Sequence, residues 1–256
     1  MDVISDVVCP WCYIGKKHLD DALAAWGERG NQAPVVRWHP FQLNPTMPPE
    51  GMDRGEYLQA KFGNPQGGPG YQRVIAAARS AQLAFEPQRI TRQPNTLHAH
   101  ALIAAGEQAG STQVVDALFK AYFVDGVDLC SQEALRSIAS SCGLAEDEIN
   151  AAFSAESVQA VASRDAQARN AGIGGVPFFV IAQQIGVSGA QGTEALLDAF
   201  ERALQCRNLL HDVGAVALLV DHGDHGLDVA ADRLEPVERR CLVLGLHSLF
   251  SIVACQ

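Results

Sequence analysis

Cys9-Pro10-Trp11-Cys12 is the stretch that most limits what this chain can become. It follows a short apolar run, Val3-Ile4-Ser5-Asp6-Val7-Val8, and precedes a helical pattern that begins near Tyr13. A strand that enters a helix through C-x-x-C is the arrangement of a thiol–disulfide redox site. Cysteines three apart on the first turn of a helix share a face, roughly 5–6 Å apart at Cβ. That is near the span of a disulfide, so oxidation and reduction need little backbone movement. Cys9 would head the helix, where unpaired N–H groups and the positive end of the dipole favour a negatively charged sulfur. Pro10 suits the first helical position, because its φ is already helix-compatible and its missing N–H would have had no partner. The predicted chemistry is attack by a Cys9 thiolate on a disulfide, after which Cys12 resolves the mixed disulfide. Zinc binding is the competing use of such a pair. It needs four ligands, and Cys130, Cys142, Cys206, Cys241 and Cys255 form no second close pair, so no metal is assigned.

The rest of the composition narrows the partners. At 256 residues with 48% hydrophobic and 19% charged content, the chain can bury one large core or two small ones. A net charge of −10, with lysine only at Lys16, Lys17, Lys61 and Lys120, argues against nucleic acid, whose phosphates need a basic face. No basic segment followed by an apolar one precedes the first strand, so the expected location is the cytoplasm, where a C-x-x-C cycles between its redox states. No membrane partner is expected.

Along the chain, residues 2–8 read as a strand of a sheet interior, and residues 12–28 as a helix with Leu19, Leu23 and Trp26 on its buried face. Val35-Val36-Arg37-Trp38-His39 reads as a second strand, giving a parallel βαβ unit. From about residue 53 to 171 the periodicity is helical, as at Tyr71, Val74, Ile75 and Ala78, or Leu135, Ile138, Ala139 and Cys142. Ser131 is the expected cap of that last helix, Gly143 its stop, and Cys142 a core residue on its buried face. Another helix follows Pro94-Asn95-Thr96, and a longer one is expected over Ser157 to Asn170. Residues 63–70, rich in glycine and proline, read as a loop. Strand pattern returns at Val176-Pro177-Phe178-Phe179-Val180-Ile181 and pairs as a hairpin with Ile185-Gly186-Val187-Ser188, before a helix over Thr193 to about Gln205. The two outer pieces, βαβ and ββα, form one sheet, and the helical block is an insertion into it.

The motifs Ile4-Ser5-Asp6-Val7-Val8-Cys9-Pro10-Trp11-Cys12-Tyr13-Ile14-Gly15, His39-Pro40-Phe41-Gln42-Leu43-Asn44-Pro45, Pro94-Asn95-Thr96, Gly175-Val176-Pro177-Phe178-Phe179 and Val187-Ser188-Gly189-Ala190-Gln191 follow in order. Together they resemble the FrnE-type branch of the DsbA family over roughly residues 2–205. The resemblance implies an α/β, thioredoxin-like fold with a large all-helical insertion: a discontinuous thioredoxin-like domain over 1–50 and 166–205, and an insertion over 51–165. It implies a dithiol–disulfide oxidoreductase acting on protein or small-molecule thiols and disulfides. Cys9 is then the nucleophile and Cys12 the resolving cysteine, supported by Pro10, Trp11 and a cis Val176–Pro177 bond packed against the pair. No cofactor is implied beyond the redox-active disulfide, with glutathione as a candidate co-substrate. A sister group of the same fold comprises the 2-hydroxychromene-2-carboxylate isomerases and kappa-class glutathione transferases. It carries serine at the first position and binds glutathione. Under that alternative Trp38 and Asn95 would face glutathione; otherwise Trp38 is a core aromatic and Asn95 a helix cap.

Residues 206–256 resemble nothing in the family and read as an atypical C-terminal tail. They hold Cys206, Cys241, Cys255 and four histidines. Asp221-His222-Gly223-Asp224-His225, with His211, has the residue types of a metal site but no regular structure to hold it. Leu242 to Ala254 is apolar but too short to cross a bilayer.

Overall fold

The structure is a computed structural model that describes residues 1–220, with side chains described as far as Arg207. Strand β1 (Asp2–Ser5) feeds helix α1 (Pro10–Glu28), which returns to β2 (Arg37–Pro40). β2 lies parallel to β1, with Asp2 opposite Arg37 and Ser5 opposite Pro40. β5 (Phe178–Ile181) and β6 (Ile185–Ser188) complete an ordered sheet β2-β1-β5-β6, β5 antiparallel to both of its neighbours. The hairpin between them turns through Ala182 and Gln183 at φ 51° and 59°. Two successive left-handed residues are what a tight hairpin demands, and here neither is glycine.

One face of this sheet is covered by α1 and by α9 (Thr193–Val220). Val3, Leu19, Ala22, Trp26, Phe179, Ile181, Leu196, Leu197 and Phe200 fill the layer between them, with the Trp26 and Phe200 rings edge to face at 5.6 Å. The expected stripe on α1 is there, although Leu23 is only half-buried. α9 runs well past the stop expected near Gln205, because residues 206–213 contain neither proline nor glycine to end it. The candidate metal segment Asp221–His225, the His211 side chain and the apolar stretch Leu242–Ala254 lie outside the described residues.

The block between β2 and β5 is helical: α2 (Arg54–Phe62), α3 (Gly68–Ser80), α4 (Leu97–Gln108), α5 (Val114–Lys120, continuing as a π-helical turn over Ala121–Asp125), α6 (Gln132–Ser141), α7 (Glu146–Ala152) and α8 (Ala155–Asn170). Local chemistry sets several of these limits. Ser131 accepts the Ala134 N–H at the start of α6, and Ser154 accepts the Ser157 N–H, so α8 begins at Ala155, ahead of the expected Ser157. α3 begins inside the stretch read as a loop, because Gly67 takes a left-handed φ of 84° and Pro69 falls in the first turn. Cys142 is the C-cap of α6, half-buried, and packs against the main core as expected.

One element carries no helical signal at all. β3 (Met52–Asp53) and β4 (Arg92–Gln93) form a two-stranded antiparallel ribbon at the entrance of the helical block. It is held by Arg54, 8% exposed, whose guanidinium donates to Gln93 and to the Tyr71 hydroxyl. The same group lies over the Tyr57 and Tyr71 rings at 5.4 and 5.5 Å. This is a buried cation satisfied by neutral oxygens and ring faces.

α4 and α8 contact β2, so the helical block closes the second side of the sheet next to the start of α1. The main core of the block includes Val7, Val8, Cys9 and Cys12 together with Leu102, Phe119, Phe123 and Val161. The Cys9–Cys12 stretch therefore sits at the seam between sheet and helices. Close packing along α1 fixes it there: a Cβ on Gly15 would lie 2.9 Å from Pro177 Cγ and 3.2 Å from Phe179 Cζ. Gly15→Val should lower folding stability by about 1–3 kcal/mol through overpacking, read as a reduced urea midpoint at unchanged slope.

Candidate active site

The chain leaves β1 in a tight turn: the Cys9 N–H donates to the Asp6 carbonyl at 3.0 Å. Cys9 is the N-cap of α1, extended at φ −87° and ψ 114°, and Pro10 opens the helix. The Cys9 carbonyl then accepts from Cys12 N at 3.0 Å and Tyr13 N at 3.2 Å, which fixes both cysteines on the first turn. Both are free thiols, 3% and 1% exposed, whereas Trp11 between them is 39% exposed.

Their surroundings differ. Cys9 Sγ donates to the Val176 carbonyl at 3.7 Å, a contact from a residue 167 positions away in sequence. The Val176–Pro177 peptide is cis, and Pro177 is buried beside Gly15 of α1. Cys12 Sγ accepts the Asp6 main-chain N–H at 3.5 Å. Burial pushes the Cys12 thiol well above the ordinary range, and the hydrogen bond and charge of Cys9 push it the same way; the bonds from Ser5 and the Asp6 N–H offset this only in part. That setting favours the protonated form of Cys12.

Beneath the pair lies a buried carboxylate. Asp6 is 1% exposed; its Oδ2 accepts the Leu43 N–H at 2.8 Å, and its Oδ1 lies 3.3 Å from His100 Nε2. With Asp6 ionised, the shared hydrogen belongs to Nε2 and the imidazole donates. His100, 5% exposed, comes from α4, so this pair links the redox turn to the helical block. Neither Asp6 nor His100 carried a role in the sequence reading. The available signals were a charged residue inside an apolar strand, and a histidine flanked by Ala99, Ala101, Leu102 and Ile103.

Of the residues singled out from sequence, the fold gathers Cys9, Pro10, Trp11, Cys12, Val176 and Pro177 at one place. Trp38 and Asn95 do other work. Trp38 is a half-buried aromatic of β2 that packs against both main cores. Both ends of the Asn95 amide are taken: Oδ1 accepts from Leu97 N at 3.0 Å at the head of α4, and Nδ2 donates to the Met47 carbonyl at 2.7 Å. Among the described residues no cluster of His, Cys, Asp and Glu is placed to hold a metal, and no helix is long and apolar enough to cross a membrane.

A family model described as a DSBA-like thioredoxin domain matches residues 1–201. Among solved structures, the probable DsbA oxidoreductase SCO1869 from Streptomyces coelicolor superposes with a TM-score of 0.69 at 30% identity, covering 80% of this chain and 89% of that one. The cytosolic disulfide reductase DsbM from Pseudomonas aeruginosa, solved with GSH, gives 0.57 at 18% identity over 80% of this chain and 98% of its own. A 2-hydroxychromene-2-carboxylate isomerase gives 0.58 at 15% identity over 82% of this chain and 98% of its own. The last two likenesses are of fold.

The asymmetry between the sulfurs has a direct readout. A raised Cys12 means little thiolate at neutral pH, so in the reduced, folded protein Cys12 should alkylate at a small fraction of its rate in the denatured chain, the gap closing only as pH rises beyond the ordinary thiol range. Peptide mass spectrometry after timed iodoacetamide labelling measures this. Labelling of Cys12 at the denatured rate near pH 8 would contradict it.

Proposed function

Because the chain belongs to the family of DSBA-like thioredoxin domains, which are thiol–disulfide oxidoreductases, we propose that it exchanges disulfides through the Cys9–Cys12 pair. Cys9 is the nucleophile that forms a mixed disulfide with the substrate, and Cys12 is the sulfur that resolves it. The observation that carries this reading is the unequal setting of two free thiols on one helical turn: Cys9 beside the Val176 carbonyl at 3.7 Å, and Cys12 sealed and holding its proton. Trp11, exposed between them, is the surface an incoming chain meets first, with the half-buried Val176 behind it. An extended thiol substrate laid there finds main-chain groups to pair with, so recognition need not depend on its sequence.

The substrate is a protein or small-molecule thiol or disulfide, with glutathione a candidate co-substrate. The location that fits this chemistry is the cytoplasm, where the pair would cycle. The second reading, a glutathione-dependent isomerase or transferase, draws on the fold it shares with the isomerase structure. A second thiol within bonding reach of the first favours exchange, because conjugation or isomerisation needs only one activated group.

Mixing the reduced protein with glutathione disulfide separates these readings. Cys9→Ser should abolish exchange, and Cys12→Ser should stop at a persistent glutathione adduct on Cys9, seen as an added mass on the Cys9 peptide. A Cys9→Ser protein that keeps full activity toward glutathione-dependent substrates would overturn the dithiol reading in favour of the second.

A further inference from the structure

The end of the sheet away from the redox pair carries an apolar groove. Met1 precedes β1 and Cys9 follows it, so the start of that strand marks the far side of the domain. There two bonds draw in the loop between α1 and β2. Trp26 Nε1 donates to the Gln32 carbonyl at 3.2 Å, and the Met1 amino group donates to the Val35 carbonyl at 2.8 Å. Between this loop, the end of β5 and α9 lies a groove of about 360 Å³, with apolar walls from Met1, Trp26, Val35, Ile181, Phe200 and Leu204. Val35 is 74% exposed, the most exposed large hydrophobic side chain among the described residues. An apolar cluster left open in this way marks a surface that something covers.

A neighbouring sulfur points to the cover. Cys206 of α9 stands next to Arg207, which also lines the groove. It is 7% exposed and disulfide-bonded. Cys9, Cys12, Cys130 and Cys142 are free thiols. Within one chain, that leaves Cys241 and Cys255 as the sulfurs Cys206 can join. These two bracket residues 242–254, a run with four leucines, two valines, an isoleucine and a phenylalanine, and with no Asp, Glu, Lys or Arg. The chain is long enough to make the return. α9 continues to Val220, about 21 Å beyond Cys206 at the helical rise. From Val220 to Cys241 an extended chain can span roughly 70 Å.

We propose that residues 242–254 of the same chain pack into this groove, tied beside it by the disulfide of Cys206 to one of the two bracketing cysteines. Either closure delivers the same run to the same walls. Closing the bond breaks two S–H bonds and makes one S–S bond. The two electrons and two protons pass to a small-molecule disulfide such as glutathione disulfide, which becomes two thiols. Burial of Cys206 then screens the bond from attacking thiols, since access governs exchange. The groove and Cys9 lie at opposite ends of β1, so the docked run leaves the redox turn open. The proposal therefore stands apart from the dithiol reading.

Three measurements on the full chain, purified without reductant, test it. Alkylation, digestion and mass spectrometry should find a peptide pair joining Cys206 to Cys241 or to Cys255 in the monomer. Neither pair, or a pair joining two chains, overturns the proposal. Next, Val35→p-benzoylphenylalanine places a photoreactive group in the groove, and illumination should join it to residues 242–254 of the same chain. A cross-link to a second copy would make the groove an interface between copies. A cross-link elsewhere in the chain, or none, would leave it uncovered. Each of these results overturns the proposal. Finally, Val35→Glu puts a charge where the run would lie, at a side chain too exposed for the fold to depend on it. Hydrogen exchange over residues 242–254 should quicken about tenfold relative to the unsubstituted chain, with β1 and α1 unchanged. Equal exchange in the two proteins rejects the docking.

Discussion

The arrangement turns on one buried negative charge. Asp6 stands where β1 gives way to the redox turn, almost wholly removed from water. A carboxylate in that position costs several kcal/mol unless it is paired and hydrogen-bonded. One carboxylate oxygen takes the Leu43 N–H from the segment after β2 and the other meets His100 of α4, while the main-chain carbonyl of the same residue accepts the Cys9 N–H. Satisfying the charge therefore places the start of α1, the exit of β2 and the helical block against one another. The cysteine pair inherits its setting from that demand.

A second clamp repeats the logic at the far end of the helical block. Asp165 of α8 accepts Gln42 N at 2.8 Å and is bridged by Arg169. Arg169 in turn lies 4.1 Å over the Phe41 ring and donates to the Gln42 carbonyl. The segment Phe41-Gln42-Leu43 is thus gripped from both sides, by Asp6 through Leu43 and by Asp165 through Gln42. α8 leads on through Gly172 to Gly175 into Val176 and Pro177, so the clamp also sets the direction from which that backbone reaches Cys9. Rigid seams of this kind hold a reactive pair within the narrow tolerance that sulfur exchange requires.

Local signals in the sequence carry over into the fold where the physics is local. Pro10 at the first helical position, Ser131 as a cap and Gly143 at a left-handed stop all act on their nearest neighbours. The alternation that marked Ile185 to Ser188 as the partner of Phe178 to Ile181 works over a single hairpin. Where a boundary moved, a neighbour's backbone was the cause, as at Gly67, which starts α3 inside a stretch whose composition looks like loop. The two-residue ribbon β3–β4 leaves no mark in the sequence, because so short a strand has no period and because Arg54, which anchors it, depends on Gln93 of β4 and on Tyr71 brought from α3.

Residue type and spacing alone carry the redox pair, its place at the head of a helix and the split of the sheet around a helical block, whereas the proline that meets the pair is implied only by the family resemblance. Residue type and spacing are what the chain carries in one dimension. Only the tertiary structure decided that Trp38 and Asn95 serve packing and capping, that the Val176 carbonyl meets Cys9 while the Asp6 N–H meets Cys12, and that Asp6 and His100, 94 positions apart, are paired next to the redox turn. The reason is that burial and pairing energies depend on what surrounds a group in space, and a partner's distance along the chain says nothing about that.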